Sequence, residues 1–251
     1  MVRTNILITG ASSGLGEGMA REWAAQGRNL ALCARRVERL EALRDELLAA
    51  YPHIQVSVRA LDVNDHDQVF KVFREFREEF GTIDRILVNA GMGKGAALGT
   101  GYFKANLKTA QTNFVAALAQ CEAALELFRD QRDGHLVTIS SMSAVRGMPR
   151  AMTTYAATKA GVAALTEGIR SDLLVAKSKI KVTTIFPGYI RSEINEKVKK
   201  VPFIVDTATG CRALVRAIER EPAEAYVPSW PWTVVGFLMK RLPLSLVAKM
   251  A

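Results

Sequence analysis

The chain has 251 residues, of which 49% are hydrophobic and 24% are charged, close to the average usage of soluble globular proteins. This length allows a large buried core in one domain, although length alone also permits two smaller domains. The composition argues against an intrinsically disordered chain and against a bundle of membrane-spanning helices. The formal net charge of +9 fits an anionic cofactor, an anionic membrane surface or nucleic acid, and does not by itself choose among them.

Short apolar segments alternate with longer helix-like segments along most of the chain. We predict strands at residues 4–9, 29–34, 54–61, 84–89, 135–140 and 180–186. We predict helices at residues 15–26, 36–50, 65–80, 106–130, 153–176 and 207–220. This alternation is typical of repeated βαβ units and a mostly parallel sheet. Such sheets bind ligands at the carboxyl ends of their strands, so the residues that follow each strand are the candidates for a site.

A glycine-rich segment, TGASSGLG at residues 9–16, lies between the first predicted strand and the first predicted helix. Gly10, Gly14 and Gly16 allow a tight turn and the close approach of backbone N–H groups to a diphosphate, and Leu15 lies within the same turn. The start of the following helix favours the diphosphate charge. An ordinary glycine turn is the alternative, but strand, glycines and helix in this order favour a dinucleotide site.

Two arginines follow the second strand, at the place where an NAD-selective enzyme carries an acidic residue for the adenosine ribose. Guanidinium groups suit a 2′-phosphate instead, so we predict a preference for NADP(H) over NAD(H). Arg35 is the expected principal contact, whereas Arg36 either assists it or is only solvated at the helix start. Ser12 and Ser13 offer hydroxyl groups to the same phosphate.

Small polar and apolar residues follow the third and fourth strands. Asp62 and Val63 are expected to hold the adenine edge, and Asn89, Ala90 and Gly91 are expected to lie beside the cofactor. For each of these positions taken alone, a purely structural role is an equal alternative.

Tyr155 and Lys159 are four residues apart in YAATK, at the start of a predicted helix, so both side chains lie on one face. A tyrosine that acts as an acid or base near neutral pH needs a pKa below its usual value of about 10, and a nearby positive charge such as Lys159 lowers it. Such a pair is common by chance on helix surfaces. Its meaning comes from the serines after the fifth strand, Ser140, Ser141 and Ser143, which lie where a substrate carbonyl would meet the tyrosine.

In this order, TGASSGLG, NAG, the serines after the fifth strand, YAATK and PGYIRS resemble the motifs of the short-chain dehydrogenase/reductase family, of the single-domain kind. The resemblance spans residues 4 to about 228. It implies an α/β fold with a Rossmann-type, doubly wound parallel sheet and helices on both faces. It also implies hydride transfer between a nicotinamide cofactor, which the two arginines predict to be NADP(H), and a carbonyl or secondary alcohol, and it implies a homodimer or homotetramer.

The resemblance further implies a catalytic tetrad of Asn113, Ser141, Tyr155 and Lys159. In such a tetrad Tyr155 protonates the carbonyl oxygen during reduction and Ser141 orients it. Lys159 lowers the pKa of the tyrosine and binds the nicotinamide ribose, and Asn113 anchors a water molecule. Tyr155 and Lys159 therefore also count as cofactor-binding candidates.

The loop PGYIRS after the sixth strand resembles the family's loop that meets the nicotinamide carboxamide. On this basis Pro187, Gly188, Ile190 and Ser192 are cofactor-binding candidates, and Ser192 stands where relatives often have threonine. The exchange keeps the hydroxyl group.

Two features depart from the family pattern. The stretch from Ser141 to Tyr155 is one residue longer than in most members, so Ser143 stays an alternative to Ser141 as the orienting hydroxyl. Many members also close with a strand and a short glycine-containing tail, whereas this chain leaves that pattern at Tyr226-Val227-Pro228-Ser229.

Residues 229–251 form a hydrophobic extension beyond the predicted Rossmann domain of residues 1–228. Its uncharged run is shorter than the roughly 20 apolar residues that a bilayer-spanning helix needs. The extension has Lys240, Arg241 and Lys249 and no acidic residue. We expect it to pack on the domain, with a second subunit or a membrane surface as the alternatives. It lies near residues 191–206, the expected cover of the site, which points to an apolar, lipid-like or steroid-like substrate.

Other classes of function have less support. The histidines and cysteines lack metal-ligand spacing, so no metal is predicted, and the scattered positive charges form no docking motif for nucleic acid. Met1 runs almost directly into Ile6-Leu7-Ile8, which leaves no room for a signal peptide. We therefore expect a cytoplasmic protein, with membrane association as an alternative. A non-catalytic NADP(H)-sensing protein is opposed by the tetrad, and an NAD-dependent epimerase or dehydratase by Arg35.

Overall fold

Seven parallel strands form one sheet in the order β3-β2-β1-β4-β5-β6-β7. The structure is a computed structural model, and it describes residues 2–93, 95–193 and 202–248. The strands are β1 Asn5–Thr9, β2 Asn29–Ala34, β3 Val56–Ala60, β4 Arg85–Val88, β5 His135–Ile139, β6 Lys181–Pro187 and β7 Glu224–Val227. Because the order reverses between β1 and β4, the ligand crevice lies at the carboxyl ends of these two strands.

Helices cover both faces of the sheet. They are α1 Gly14–Ala24, α2 Val37–Ala50, α3 His66–Phe80, α4 Phe103–Ala110, α5 Ala116–Gln131, α6 Met152–Val175, α7 Thr207–Glu219, α8 Ser229–Arg241 and α9 Leu244–Val247. One hydrophobic core joins the sheet to α1, α2 and α7, and a second core joins its other face to α3, α5 and α6. The predicted doubly wound parallel sheet with helices on both faces is confirmed.

The residues of β1 show why the sheet is buried on both sides. Successive side chains of a strand point to opposite faces, and all five residues of β1 are buried. Ile6 and Ile8 contribute to the first core and Leu7 to the second. An apolar run without alternation is what a strand between two helical layers requires.

The structure differs from the predicted elements in two places. The predicted helix 106–130 begins earlier, at Phe103, and is interrupted by a π-helical turn at Gln111–Val115. A seventh strand, β7, pairs with β6 and was not predicted, so the chain leaves the family's ending only after Val227. A π turn inside a helix often marks a functional position.

The C-terminal extension packs on the domain through one side of α8. Trp232 is 4% exposed and Gly236 lies against Met142 and Tyr226. The Arg146 guanidinium donates a hydrogen bond of 2.9 Å to the carbonyl oxygen of Met239, near the end of α8. The outward side chains are exposed, among them Trp230, Phe237, Leu238, Leu244 and Leu246. In the part of the chain that the structure describes, which excludes Lys249, no helix is long and apolar enough to cross a membrane.

A charged cluster lies at the amino ends of the strands, opposite the crevice. Arg85 is fully buried, donates a hydrogen bond of 2.9 Å to His135 Nδ1, and forms ion pairs with Glu219 and Glu221. His135 Nε2 lies 2.8 Å from the Thr183 hydroxyl. Both ring nitrogens of the buried His135 thus have hydrogen-bond partners within the fold.

Candidate active site

The glycine turn leaves bare backbone at the start of α1. Gly10 and Gly14 have φ angles of +67° and +58°, and a Cβ atom on Gly16 would meet the carbonyl oxygen of Gly10 at 2.5 Å. Asn89 Nδ2 donates a hydrogen bond of 2.8 Å to the carbonyl oxygen of Thr9, which ties this turn to the loop after β4. The arrangement fits a diphosphate, because glycine alone permits both the turn and the close approach.

Arg36, and not Arg35, lies against the two serines of the turn. Its guanidinium donates hydrogen bonds to Ser12 Oγ at 3.3 Å and to Ser13 Oγ at 2.6 Å. The interpretation of Arg36 as only solvated is therefore wrong. Glu193 accepts hydrogen bonds of 3.2 Å from Arg36 and 2.7 Å from Arg39. Arg39 was not predicted, although its position three residues after Arg36 in a helix could have indicated it.

Arg35 interacts electrostatically with a different residue. It is exposed, and its positive charge acts on Asp62 after β3. Burial would raise the pKa of Asp62, but hydrogen bonds from Asn64 and the charges of Arg35 and Lys108 hold it below its usual value. Val63 is buried. Asp62 is thus an ionised carboxylate beside the expected adenine position.

Asn113 lies in the π turn and holds the loop after β4. Its Oδ1 accepts a hydrogen bond of 2.8 Å from the Met92 N–H, and its Nδ2 donates one of 2.9 Å to the Met92 carbonyl oxygen. A Cβ atom on Gly91 would lie 3.3 Å from Asn113 Oδ1 and 3.5 Å from Lys159 Nζ. The structure therefore brings the NAG loop, Asn113 and Lys159 together, as the sequence predicted.

The hydroxyl groups of Tyr155, Ser141 and Ser143 form a chain. Tyr155 and Ser141 share a side-chain hydrogen bond, and Ser143 Oγ donates to Ser141 Oγ at 3.0 Å. The Ser143 N–H also donates to Ser141 Oγ, at 3.1 Å. Ser141 is thus the direct neighbour of Tyr155, and Ser143 contacts Ser141.

Lys159 is buried beneath this chain, with 6% of its surface exposed. Its ammonium group donates a hydrogen bond of 2.8 Å to the carbonyl oxygen of Ile139 at the end of β5, and it lies 6.0 Å from the Tyr155 ring centre. Burial lowers the pKa of Lys159 to about 8.

Burial raises the pKa of Tyr155 and is the largest influence on it. The hydrogen bond with Ser141 lowers this pKa, and the nearby Tyr189 raises it. The predicted lowering by Lys159 is therefore not found in the chain alone. The physical reason is that desolvation of the phenolate outweighs its interactions with the polypeptide.

The loop after β6 is covered by the C-terminal extension. The Gly188 N–H donates to the Val227 carbonyl oxygen at 2.8 Å, and a Cβ atom on Gly188 would overlap the Trp232 ring. The Trp232 ring packs in a T-shaped arrangement against the rings of Tyr189 and Phe203, whose centres are 5.6 and 6.1 Å away. These aromatic neighbours were not predicted, because no local pattern links the extension to the loop.

The remaining candidates of the loop after β6 lie close to the crevice. Pro187 ends β6, Ile190 is buried, and the Ser192 Cβ atom is 3.4 Å from the place of a Cβ atom on Gly14. Of the predicted cover at residues 191–206, positions 194–201 lie outside the described residues. Because all the strands are parallel, the candidates that follow β1 to β6 lie at the same edge of the sheet, at the carboxyl ends of the strands.

Comparisons with known proteins agree with this geometry. The sequence profile of the short chain dehydrogenases matches residues 4–202. The chain belongs to the short-chain dehydrogenase/reductase family. An uncharacterized oxidoreductase of Mycobacterium tuberculosis (strain ATCC 25618 / H37Rv) is 54% identical to it over 251 residues, covering 100% of this chain and 98% of that protein.

Two further proteins show how far the family likeness extends. The 11-beta-hydroxysteroid dehydrogenase 1A of Arabidopsis thaliana is 33% identical, over 94% of this chain and 71% of that protein. A short-chain dehydrogenase/reductase from Burkholderia phymatum in complex with NAD shares the fold, with a TM-score of 0.84 at 19% identity and coverage of 98% and 96%. The chain is therefore an oxidoreductase of this family, and a nicotinamide cofactor is supported.

Proposed function

We propose that the protein transfers a hydride between NADP(H) and a carbonyl compound or secondary alcohol, with Tyr155 as the acid and base. The observation that carries the proposal is the convergence of the Tyr155–Ser141 hydrogen bond, buried Lys159 and Asn113 beside the glycine turn. When bound, the nicotinamide ring supplies or accepts the hydride. The protein's own side chains manage the accompanying proton.

The proposed roles follow from the hydrogen bonds of each side chain. During reduction, the Tyr155 hydroxyl donates its proton to the carbonyl oxygen, and the raised pKa of Tyr155 keeps it protonated beforehand. Ser141 donates a second hydrogen bond to the same oxygen and so orients it. Lys159 places a positive charge below the tyrosine, which stabilises the phenolate after the transfer. Asn113 holds the loop at Gly91 and Met92, and its predicted water contact stays a prediction.

An absorbance assay at the nicotinamide band tests this proposal. A panel of ketones, aldehydes and alcohols is assayed with NADPH and NADH, using wild type and Tyr155→Phe. We expect Tyr155→Phe to lower turnover by roughly 10²- to 10⁴-fold, since that is the usual contribution of a positioned acid or base. If both proteins showed the same slow oxidation on every substrate, the enzymatic proposal would fail and a cofactor-sensing protein would replace it.

The preference for NADP(H) is proposed on the arginines that follow β2. Arg36 already donates to both serines of the glycine turn, and a guanidinium group matches a phosphate monoester. Arg36→Asp should lower the NADPH-to-NADH ratio of kcat/KM by more than about tenfold, because a charge-assisted hydrogen bond is lost. Arg35→Asp is the matched variant, and we expect a smaller change. Equal effects would restore Arg35 as the principal contact.

An apolar, lipid-like or steroid-like substrate is proposed on the aromatic neighbours of the site. Tyr189 interacts electrostatically with Tyr155 and its ring packs against Trp232. Aromatic rings therefore lie near the hydroxyl group of Tyr155, where the substrate would bind. A relative at 33% identity is named as a hydroxysteroid dehydrogenase. We expect higher kcat/KM for polycyclic or long-chain ketones than for short polar ones, and a smaller preference in Tyr189→Ser. Equal rates on both substrate classes would contradict this.

A homodimer or homotetramer is proposed from membership of the family, with the exposed apolar side of α8 as one of the surfaces to be covered. Light scattering after gel filtration measures the oligomeric state. A monomer that floats with anionic liposomes at low salt, and not at high salt, would instead support contact of Lys240 and Arg241 with a membrane.

A further inference from the structure

Glu193 lies beside the glycine turn, within ion-pair distance of Arg36 and Arg39. Its carboxylate accepts hydrogen bonds of 2.7 Å from Arg39 and 3.2 Å from Arg36. The hydrogen bond from Arg39 lowers the pKa of Glu193 most, burial acts in the raising direction, and hydrogen bonds from Arg36 and Ser13 add to the net lowering. At neutral pH the group is therefore a bound anion.

The donors around this carboxylate match a phosphate monoester. Arg36 and Arg39 lie one helical turn apart at the start of α2 and offer two guanidinium groups. Ser12 and Ser13 add hydroxyl groups from the glycine turn, both within hydrogen-bond distance of Arg36. Two cations with flanking hydroxyls suit a doubly charged phosphate with three acceptor oxygens better than a singly charged carboxylate.

We propose that Glu193 is a specificity-determining residue that occupies this anion site as an internal ligand, and that the 2′-phosphate of NADP(H) displaces it. This inference rests on the proposed preference for NADP(H). A cofactor without a 2′-phosphate has no anion to place there, and leaves the carboxylate where it is. Glu193 therefore weakens the binding of 2′-phosphorylated ligands selectively.

The solvent exposure of the ion pairs of Glu193 determines how strongly Glu193 competes with a phosphate. The side chains of Arg36, Arg39 and Glu193 are 39%, 49% and 51% exposed, and ion pairs between exposed groups are weak. The internal ligand is thus easily displaced, and it reduces affinity without blocking the site. We expect a cost of about three- to tenfold in the dissociation constant of a 2′-phosphorylated ligand.

Calorimetric titration of the full chain with adenosine 2′,5′-bisphosphate and with 5′-AMP tests this without any turnover. Glu193→Gln removes the charge and keeps the shape, so we expect tighter binding of the bisphosphate by about three- to tenfold, and a change below about twofold for 5′-AMP. Glu38→Gln is the matched control, because Glu38 is exposed on the same helix and acts on Arg39 only through its charge. We expect it to change both constants by less than about twofold. Thermal unfolding of each variant checks that the fold is retained.

The two ligands separate this inference from the proposed cofactor preference. If wild type binds both nucleotides equally and Glu193→Gln does too, the NADP(H) preference fails and the internal-ligand inference is overturned with it. If wild type favours the bisphosphate but Glu193→Gln behaves as Glu38→Gln does, or binds it more weakly, the internal-ligand inference is overturned and the preference stands. A preference that is absent in wild type and gained in Glu193→Gln would support the inference and contradict the preference.

Discussion

A positively charged side chain is buried at each end of the parallel strands, and the two differ in their partners. We call the side where the strands begin the amino edge and the side where they end the carboxyl edge. At the amino edge, Arg85 has the carboxylates of Glu219 and Glu221 as partners. At the carboxyl edge, Lys159 donates to a backbone carbonyl, and no ion pair is found for it among the residues that the structure describes. Burial lowers the pKa of both groups, that of Lys159 to about 8.

This difference distinguishes a charge that contributes to the fold from one that is expected to take part in the reaction. Carboxylate partners offset part of the free energy that a buried cation loses on dehydration. Removing one of these partners therefore destabilises the fold. A buried cation with only a carbonyl partner costs stability and is expected where its charge has a chemical use. We therefore propose a chemical role for Lys159 and a structural role for Arg85, and each proposal can be tested separately.

Replacing Lys159 should have the largest effect, and it should lower activity without lowering stability. Lys159→Met keeps the length of the side chain and removes the charge beneath Tyr155. We expect turnover to fall by about 10³-fold, while the free energy of unfolding stays the same or rises by about 1 to 2 kcal/mol, because a desolvated charge is gone. Steady-state kinetics and urea unfolding measure the two quantities.

Lys181→Met is the control for this experiment, because Lys181 is an exposed lysine at the start of β6. It should leave both quantities nearly unchanged. A large loss of stability in Lys159→Met would contradict the comparison, since it would make Lys159 a structural charge like Arg85.

At the carboxyl edge, the sequence predicted the candidate residues that directly follow a strand or begin a helix. The glycine turn, the NAG loop, Ser141, Tyr155 and Lys159 each follow or begin a regular element, so their meeting at one edge follows from parallel strand topology. Family membership and the doubly wound sheet are confirmed by the comparisons and by the strand order.

Contacts between distant segments could not be predicted in the same way. Trp232 covers Gly188 and Glu193 reaches Arg36, and neither pair shares a local pattern. The π turn that carries Asn113 was also missed, because the hydrophobic period of the helix continues on both sides of it. The hydrogen bonds of Arg36 with Ser12 and Ser13 could not be predicted either, because side-chain direction at the end of β2 depends on packing, and the principal role predicted for Arg35 stays a prediction.

Removing a partner of Arg85 should have the next largest effect, and on stability alone. Glu219→Gln leaves the buried guanidinium without its nearest carboxylate, although Glu221 stays within 3.6 Å of it. We expect the free energy of unfolding to fall by about 2 to 3 kcal/mol, somewhat less than for a fully isolated buried charge. Steady-state kinetics of the folded variant should match those of wild type.

Glu126→Gln is the matched control on the exposed side of α5, and it should change the free energy of unfolding by less than about 0.5 kcal/mol. If Glu219→Gln lowered turnover as strongly as it lowered stability, the separation of the two edges would not hold.

The smallest predicted effect is a dependence of stability on pH that arises at the amino edge. Burial, followed by the charges of Arg85, Arg3 and Lys181, holds the pKa of His135 well below its usual value. In the unfolded chain this histidine takes up a proton near pH 6.5, whereas in the folded protein it stays neutral. Acid therefore favours the unfolded state, and the contribution of His135 to stability falls by about 1.4 kcal/mol for each pH unit below about 6.5.

Urea unfolding between pH 7 and pH 5 measures this slope, in a range above the titration of most carboxylates. His135→Gln should flatten the slope, whatever its stability at pH 7, and His53→Gln, which changes an exposed histidine, should leave it as in wild type. An unchanged slope in His135→Gln would show that His135 accepts a proton in the folded state. The amino edge would then hold a further positive charge in acid, 3.5 Å from the Glu221 carboxylate, and its contrast with the carboxyl edge would be limited to neutral pH.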